Sequence, residues 1–200
     1  MTILFLVVAF LIAITVHEAA HAYMADKLGD PTARVQGRLT LNPIVHLDLY
    51  GTVLIPLFLM IIGSPFVFGW AKPVPVDPYN LKDPRKDSAL ISLAGPLANM
   101  ILATIAALLI KFIGPVDFLY ILVQYNVVLA VFNLLPIHPL DGGKVLVGIL
   151  PTKESHDVNR FLTTYGNILL ILAIFPIFGG VSIVSRVISP IINAILTLLI

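Results

Sequence analysis

The chain has 200 residues, 58% of them hydrophobic and 12% charged, and its mean hydropathy is +1.01. This composition indicates a polytopic membrane protein. The formal net charge of +1 gives no sign of a nucleic-acid partner, and the absence of cysteine excludes disulfides, thiolate metal ligands and cysteine nucleophiles.

Six apolar segments follow one another, each near the length that crosses about 30 Å of hydrocarbon as a helix. They span residues 2–25, 50–70, 88–113, 117–135, 161–178 and 181–200. This order predicts an all-α polytopic membrane protein in a lipid bilayer, with one integral-membrane domain over residues 1–200. Within it we expect a core in residues 1–150 and a C-terminal helical hairpin in residues 161–200.

The first apolar segment contains the ionisable run His17-Glu18-Ala19-Ala20-His21. Ionisable groups at membrane depth are costly and generally serve a function. On a helix, His17 and His21 share a face, so both can present a ring nitrogen to one Zn²⁺. Glu18 can then act as a general base on water. The alternative is a chance match with two buried, hydrogen-bonded histidines. We expect a retained helix, because the segment lacks the basic N-terminal region of a signal sequence.

Two stretches between the apolar segments predict extended structure. Residues 34–41 alternate polar and apolar side chains, which is typical of a strand. Residues 69–76 contain two prolines, which are tolerated at a sheet edge or in a loop. We therefore expect a small membrane-associated β-sheet.

The fourth apolar segment ends in residues 133–143, where two prolines and two glycines must break the helix. Asp141 then lies on irregular backbone, which membrane depth allows only if it is buried in protein or lines a cavity. Two histidines and this carboxylate would leave a fourth zinc position open, as in catalytic sites. The alternative is an ordinary turn aspartate before Gly142-Gly143.

Three motifs in this order resemble the site-2 protease family of intramembrane zinc metalloproteases. They are the His17 to His21 run, the stretch Ala94-Gly95-Pro96-Leu97-Ala98-Asn99, and residues 133–143 with their Leu-Asp-Gly core. Residues 37–43 and 69–75 further resemble a short, PDZ-free prokaryotic subgroup. The resemblance covers roughly residues 10–148.

The resemblance implies a role for each residue that matches a motif. His17, His21 and Asp141 would bind one Zn²⁺ per chain, and Glu18 would be the general base. Asn133 would hold the substrate backbone or the developing oxyanion. The implied reaction is the cleavage of a transmembrane helix of a single-span membrane protein within the bilayer.

Helix direction constrains the topology. His17 and His21 lie near the C-terminal end of their helix and Asp141 follows the end of its own, so the two helices must run in the same direction to share an ion. One intervening apolar segment therefore does not cross. Pro56 and Gly63-Ser64-Pro65 interrupt segment 50–70, which is predicted to be re-entrant or half-inserted, leaving about five spanning helices.

The distribution of basic residues favours the same topology. With the re-entrant segment, 10 of the 12 Lys and Arg residues share one side of the membrane, against 7 if the segment spans. The positive-inside bias favours the first arrangement. We expect a multi-pass cell-membrane protein with its N-terminus outside and its active site facing the cytoplasm.

Four further residues have weaker indications. His46 and Asp48 are an accessory metal pair, a support for the re-entrant segment, or, as the favoured interpretation, partners in one interfacial hydrogen bond. His138 is a cavity residue or a reserve ligand beside Asp141. Asn99 is assigned to helix packing around the site in preference to substrate contact.

Two rival functions remain. In other membrane zinc proteases a downstream glutamate is the third ligand, but the only other glutamate here is Glu154, in a polar loop. A non-catalytic membrane binding protein or transporter with a structural zinc helix is the second rival. Glu18 argues against it, because a structural site needs no base.

Overall fold

The computed structural model describes residues 2–63, 69–175 and 182–200. The secondary structure of these ranges is helical, which confirms the predicted all-α class. The helices are α1 (Thr2–Lys27), α2 (Thr32–Val35), α3 (Ile55–Ile61), α4 (Pro84–Ile113), α5 (Asp117–Asn133), α6 (Asp141–Ile149), α7 (Thr152–Ile174) and α8 (Ile183–Leu199). A π-helical turn at Leu49–Leu54 leads directly into α3.

Helices α1, α4 and α5 form the core of the molecule. Small side chains at their contacts let the helix backbones approach closely. The buried residues of this cluster include Ala9, Ala103, Ala106, Ala107, Val123 and Val127.

The contacts also give the directions of the three helices. Phe5 on α1 contacts Phe118 on α5, and Phe10 contacts Tyr125 further along both helices. Residue numbers rise together in these pairs, so α1 and α5 run in the same direction, as a shared metal site requires.

Helix α4 runs in the opposite direction to α1. The amide of Asn99 donates to the carbonyl of Ala13, whereas the carbonyl of Ile91, earlier in α4, accepts from His21, later in α1. The start of α4 therefore lies beside the end of α1, and residues 28–83 begin and end at the same end of the core.

Two helices of the described residues are long and apolar enough to cross a membrane, Ile3–Lys27 and Pro84–Ile113. Large apolar side chains on both remain exposed, such as Ile3 at 78% and Phe112 at 83%. An apolar surface of this extent is typical of contact with lipid. The architecture thus indicates a membrane protein.

The prediction of about five spanning helices is not confirmed. Helices α5 and α8 are apolar but have 17 residues each, or about 25 Å of length. The first turns of α7 are polar, with Lys153, Glu154 and Asp157. The predicted hairpin in residues 161–200 includes residues 176–181, which lie outside the described ranges.

The two ends of segment 50–70 lie together. The backbone N–H of Trp70 donates to the carbonyl of Gly51 over 3.1 Å, and that of Lys72 donates to the carbonyl of His46 over 2.9 Å. This closure is consistent with the expected re-entrant shape, although the tip of the segment, residues 64–68, lies outside the described ranges.

The predicted β-sheet is wrong for the part of the chain that the structure describes, where no strand occurs. Residues 32–35 form a helical turn. Residues 34–41 contact the 69–76 stretch through a side chain: the guanidinium of Arg38 donates to the carbonyls of Lys72 and Pro73 over 2.5 and 3.2 Å. Pro73 and Pro75 have no N–H and therefore cannot form a regular ladder.

Hydrogen bonds to Asp30 connect the end of α1 to the segment before α4. Its fully buried carboxylate accepts hydrogen bonds from Thr32, from the side-chain amide of Asn80 and from the backbone N–H of Asp77. Burial alone would raise the pKa of Asp30, but these hydrogen bonds outweigh it and lower the pKa below the ordinary value.

Candidate metal centre and active site

Three side-chain atoms converge between α1 and the start of α6. The Nε2 atom of His17 lies 3.1 Å from Nε2 of His21 and 3.1 Å from Oδ2 of Asp141. The distance from Nε2 of His21 to the same carboxylate oxygen is 3.2 Å. All three side chains are largely buried.

The hydrogen bonds on the far sides of the rings determine where their protons lie. Nδ1 of His17 is 2.6 Å from Oδ1 of Asn99, and Nδ1 of His21 is 2.7 Å from the carbonyl oxygen of Ile91. Both partners are acceptors, so each neutral ring carries its proton on Nδ1 and has a lone pair on Nε2. In these neutral forms the two Nε2 lone pairs lie beside the Oδ2 atom of Asp141.

This donor set fits a zinc ion. Tetrahedral Zn²⁺ has ligand distances near 2.0–2.2 Å, which places neighbouring ligand atoms about 3.3 Å apart. The three measured separations, 3.1, 3.1 and 3.2 Å, are close to that value. His17, His21 and Asp141 are thus positioned to bind a metal ion, and three protein ligands leave one tetrahedral position open.

Helix α4 supports both histidines. A Cβ on Gly95 would lie 2.5 Å from Nε2 of His21 and 2.7 Å from Cε1 of His17, so only glycine leaves room for the two rings. One turn later, Asn99 accepts the hydrogen bond from His17. The Ala94 to Asn99 motif therefore leaves room for the rings of His17 and His21 and supplies a hydrogen-bond acceptor for His17.

A tight corner between α5 and α6 brings Asp141 to the histidines. A Cβ on Gly142 would overlap the backbone of Leu134 and Leu135, and one on Gly143 would lie 2.6 Å from Nδ1 of His138. The two glycines let the corner fold back on itself, and Asp141 becomes the first residue of α6.

A cavity of about 560 Å³ opens beside the three ligand atoms. Apolar side chains of α1 and α5 line much of it, including Phe10, Ile14, Val128 and Phe132. Glu18, 9% exposed, is on the same wall as the histidines. The cavity therefore combines an apolar lining with a carboxylate that is free of the ligand cluster.

Asn133 also lines the cavity, at the end of α5. Its side-chain amide donates to the carbonyl of Leu129 in its own helix over 3.0 Å. This bond uses one amide hydrogen and fixes the side chain, so the oxygen and the second hydrogen can serve a ligand in the cavity.

His46 and Asp48 do not bind each other, and the favoured interpretation of their role is wrong. The fully buried His46 ring donates to the carbonyl of Thr40, and Asp48 accepts from the backbone N–H of Gly51 at the start of the π-helical turn. Together with the bond from Lys72 to the carbonyl of His46, these contacts hold the base of segment 50–70, which was one of the predicted alternatives.

His138 is turned away from the metal ligands. Its Nε2 lies 3.3 Å from Oδ1 of Asn159 on α7, and the residue is absent from the cavity lining. Across the described ranges, the group of three or more potential ligands with metal-binding geometry is His17, His21 and Asp141, and His138, His46 and Asp48 are not part of it.

The sequence interpretation missed two residues near the site. Asn126 on α5 is fully buried and contacts Asn99; its signal was an amide in the middle of a predominantly apolar segment. Lys144 lies one turn after Asp141 and lines the cavity, and the i, i+3 spacing of these two residues could have indicated a shared face.

Comparison with known sequences matches residues 5–116 and 110–174 to "Peptidase family M50". The chain belongs to this family. It is 39% identical over 203 residues to the "Putative zinc metalloprotease YwhC" of Bacillus subtilis, covering 95% of this chain and 86% of that protein. It is 25% identical over 204 residues to the "Zinc metalloprotease MJ0392" of Methanocaldococcus jannaschii, covering 92% of this chain and 50% of that protein. No solved structure gives a significant match.

Membership of family M50 confirms the resemblance to site-2 proteases that the three motifs predicted. The chain is a zinc metalloprotease, and Zn²⁺ is its cofactor. The chain spans about half the length of the archaeal relative.

Proposed function

We propose that this M50 protein is an intramembrane metalloendopeptidase that cleaves a transmembrane helix of a single-span membrane protein, near the cytoplasmic side of the cell membrane. The observation that carries the proposal is the convergence of two imidazole lone pairs and a carboxylate next to an apolar cavity. The apolar lining suits a transmembrane substrate, because the side chains of such a substrate are themselves apolar.

In the proposed mechanism, His17, His21 and Asp141 would hold Zn²⁺, which would supply Lewis acidity and activate water. Glu18 accepts a proton from the attacking water and later gives it to the leaving amine nitrogen. Asn133 hydrogen-bonds the substrate backbone next to the scissile bond or the oxygen on which negative charge develops.

Peptide cleavage requires an unwound substrate, because an intact helix engages its carbonyls in i to i+4 hydrogen bonds. The extended 69–76 stretch lines the cavity and is our candidate for holding the unwound chain. Backbone groups of Trp70 and Lys72 bond to the protein. Neighbouring residues of an extended chain point in opposite directions, so Ala71 offers its N–H and C=O on the other side, towards a substrate strand.

Substitution of Ala71 by proline tests this role, because it removes the N–H without adding a polar group. We expect Ala71→Pro to raise KM for a single-span substrate more than it lowers kcat. The matched control is Leu41→Pro in the 34–41 stretch, which contacts the 69–76 stretch through Arg38 and where Leu41 is 69% exposed. Unchanged KM in Ala71→Pro, or an equal effect of Leu41→Pro, would exclude pairing at Ala71.

The location of the cut tests the intramembrane part of the proposal. Purified protein in liposomes would be given single-span substrates, and mass spectrometry would identify the cleaved bond. We expect a bond within the apolar span and towards the cytoplasmic end, with no product from Asp141→Asn. Cleavage confined to juxtamembrane soluble segments would contradict the proposal and leave a surface protease.

The orientation is part of the same proposal: the N-terminus faces outward and the active site faces the cytoplasm. The excess of basic residues at the end of the core that contains residues 28–83 supports it. Protease accessibility of a tag at each terminus in spheroplasts measures it. If an N-terminal tag is protected from protease in intact spheroplasts, the N-terminus faces the cytoplasm and the proposed orientation is wrong.

A further inference from the structure

A chain of buried amides connects α5 to the candidate metal centre. Asn126 donates from Nδ2 to the carbonyl of Leu122 over 2.8 Å, and its Oδ1 accepts from Nδ2 of Asn99 over 2.7 Å. Asn99 also donates to the carbonyl of Ala13 over 2.9 Å, and its Oδ1 is 2.6 Å from Nδ1 of His17. Both asparagines are fully buried, so their amide groups have no water to bond instead.

Only one orientation of the two side-chain amides satisfies all of these hydrogen bonds. The carbonyl of Leu122 can only accept, so the NH₂ group of Asn126 faces it and the oxygen faces Asn99. Asn99 must then direct its own NH₂ group to Asn126 and Ala13 and its oxygen to His17. An oxygen at that position requires a proton on Nδ1 of His17, which leaves the Nε2 lone pair for a metal ion.

We propose that Asn126 is a positioning residue of the metal centre, which acts through Asn99 to keep the proton of His17 on Nδ1. This inference rests on the proposed metal site. If Asn99 were reversed, its oxygen would face two acceptors, the Ala13 carbonyl and Oδ1 of Asn126, and buried polar groups would lose their hydrogen bonds. Removal of Asn126 eliminates one of these two acceptors and so weakens the preference for the correct orientation.

His21 provides an internal reference for this role. Its Nδ1 donates directly to the main-chain carbonyl of Ile91, and a carbonyl of a helix backbone cannot reverse. A change at Asn126 that acts through the amide chain must therefore affect His17 and leave the proton of His21 in place. A general loss of structure would affect both rings.

The test uses the full chain with ¹⁵N-labelled histidine in nanodiscs, with zinc removed and in mildly alkaline buffer, where free imidazole is neutral. Ring ¹⁵N shifts report which nitrogen carries the proton, and zinc titration gives Kd. The variants are Asn126→Leu, which keeps the branched shape, and Asn126→Asp, whose carboxyl oxygen can accept from Asn99 in either protonation state.

We expect the wild type to have the proton on Nδ1 of both histidines. In Asn126→Leu, part of the His17 population should carry the ring proton on Nε2, whereas the proton of His21 should stay on Nδ1. The zinc Kd should rise about tenfold, the lower end of the loss expected when the support of a metal ligand is removed. Asn126→Asp should restore both values.

Two results would overturn the inference. One is an unchanged His17 proton and an unchanged zinc Kd in Asn126→Leu; the other is an equal change at His17 and His21, which indicates a structural role only. If the wild type has the expected proton positions but binds no zinc, the proposed metal site is wrong, whereas the hydrogen bonds from Asn126 through Asn99 to His17 are supported.

Discussion

His21 and Gly95 lie so close that a single added carbon on Gly95 would come within 2.5 Å of the ligand atom Nε2 of His21. The glycine belongs to α4, and the histidine belongs to α1. The backbone of α4 therefore limits where the His21 ring can lie. The packing of α4 against α1 and the geometry of the metal centre depend on each other.

Substitution of Gly95 by alanine should damage the metal centre more than the fold. The new Cβ would displace both histidine rings, and a misplacement of about 1 Å at a reacting centre can cost about 100-fold in rate. We expect Gly95→Ala to bind zinc at least about tenfold more weakly and to lose most cleavage. Zinc titration and thermal unfolding in detergent measure the two effects separately.

The control for Gly95→Ala is Leu97→Ala, two residues further along α4, where the side chain is half-exposed. It should leave the zinc affinity within about twofold of the wild type. Wild-type zinc affinity in Gly95→Ala would mean that the rings can move without loss, and the close packing would then have no role in metal binding.

Arg38 should position the 69–76 stretch that lines the cavity. The buried guanidinium donates to the carbonyls of Lys72 and Pro73, and hydrogen bonds from charged groups contribute about 1.5–3 kcal/mol. We expect Arg38→Met to lower the free energy of unfolding by about 2 kcal/mol. It should also raise KM by up to about tenfold, equivalent to about 1.4 kcal/mol of binding.

Arg34 is the matched control for Arg38. It lies four residues earlier, is largely exposed and pairs with Asp26 at 3.2 Å, and such surface pairs contribute less than about 1 kcal/mol. Arg34→Met should therefore leave KM unchanged and have little effect on unfolding. Equal KM values for the two variants would show that Arg38 does not position the substrate-binding stretch.

Asp30 should make stability depend on pH in the acid range. Its hydrogen bonds keep its pKa below the ordinary value in the folded protein, so the folded state favours the ionised form. The contribution is complete above the unfolded pKa of about 3.9 and is lost as the pH falls through the lower folded pKa. Asp30→Asn should lower the free energy of unfolding by about 1–3 kcal/mol near neutral pH.

The measurement is the difference in unfolding free energy between wild type and Asp30→Asn, with zinc removed, as the pH falls from neutral to about 3. We expect the difference to shrink only below about pH 4. Asp157→Asn, at an exposed position on α7, should give no such trend. A constant difference over the whole range would contradict an ionised, hydrogen-bonded Asp30.

The ligands on α1 could be predicted because the relevant information is local. Residues four apart on a helix share a face whatever the tertiary structure, so the spacing of His17 and His21 was sufficient. The parallel direction of α1 and α5 followed from the requirement that Asp141 reach the same point. Its position depends on a corner whose two glycines were visible in the sequence.

The predicted strand failed because the alternation of residues 34–41 does not separate a buried apolar face from an exposed polar one. In a soluble protein the apolar side chains of residues 34–41 would turn inward, but Val35 and Leu41 are 79% and 69% exposed, and Arg38 is 5% exposed. The buried arginine then bonds to main-chain carbonyls, a contact that no local pattern indicates.

The roles of Asn99 and Asn126 could not be predicted because they depend on three helices at once. Neither amide is ionisable, so each appeared as a tolerable polar residue in an apolar segment. Only the arrangement of α1, α4 and α5 shows that every group of the two amides has a partner and that the last partner is His17.

The central claim is that Glu18 is the base at a zinc centre formed by His17, His21 and Asp141. Measurement of zinc content and cleavage of single-span substrates, side by side for wild type and Glu18→Gln in liposomes, tests it most directly. We predict about one zinc per chain in both proteins and a loss of cleavage of about 100-fold or more in Glu18→Gln alone. Equal cleavage by both proteins, or no zinc in either, would contradict the account.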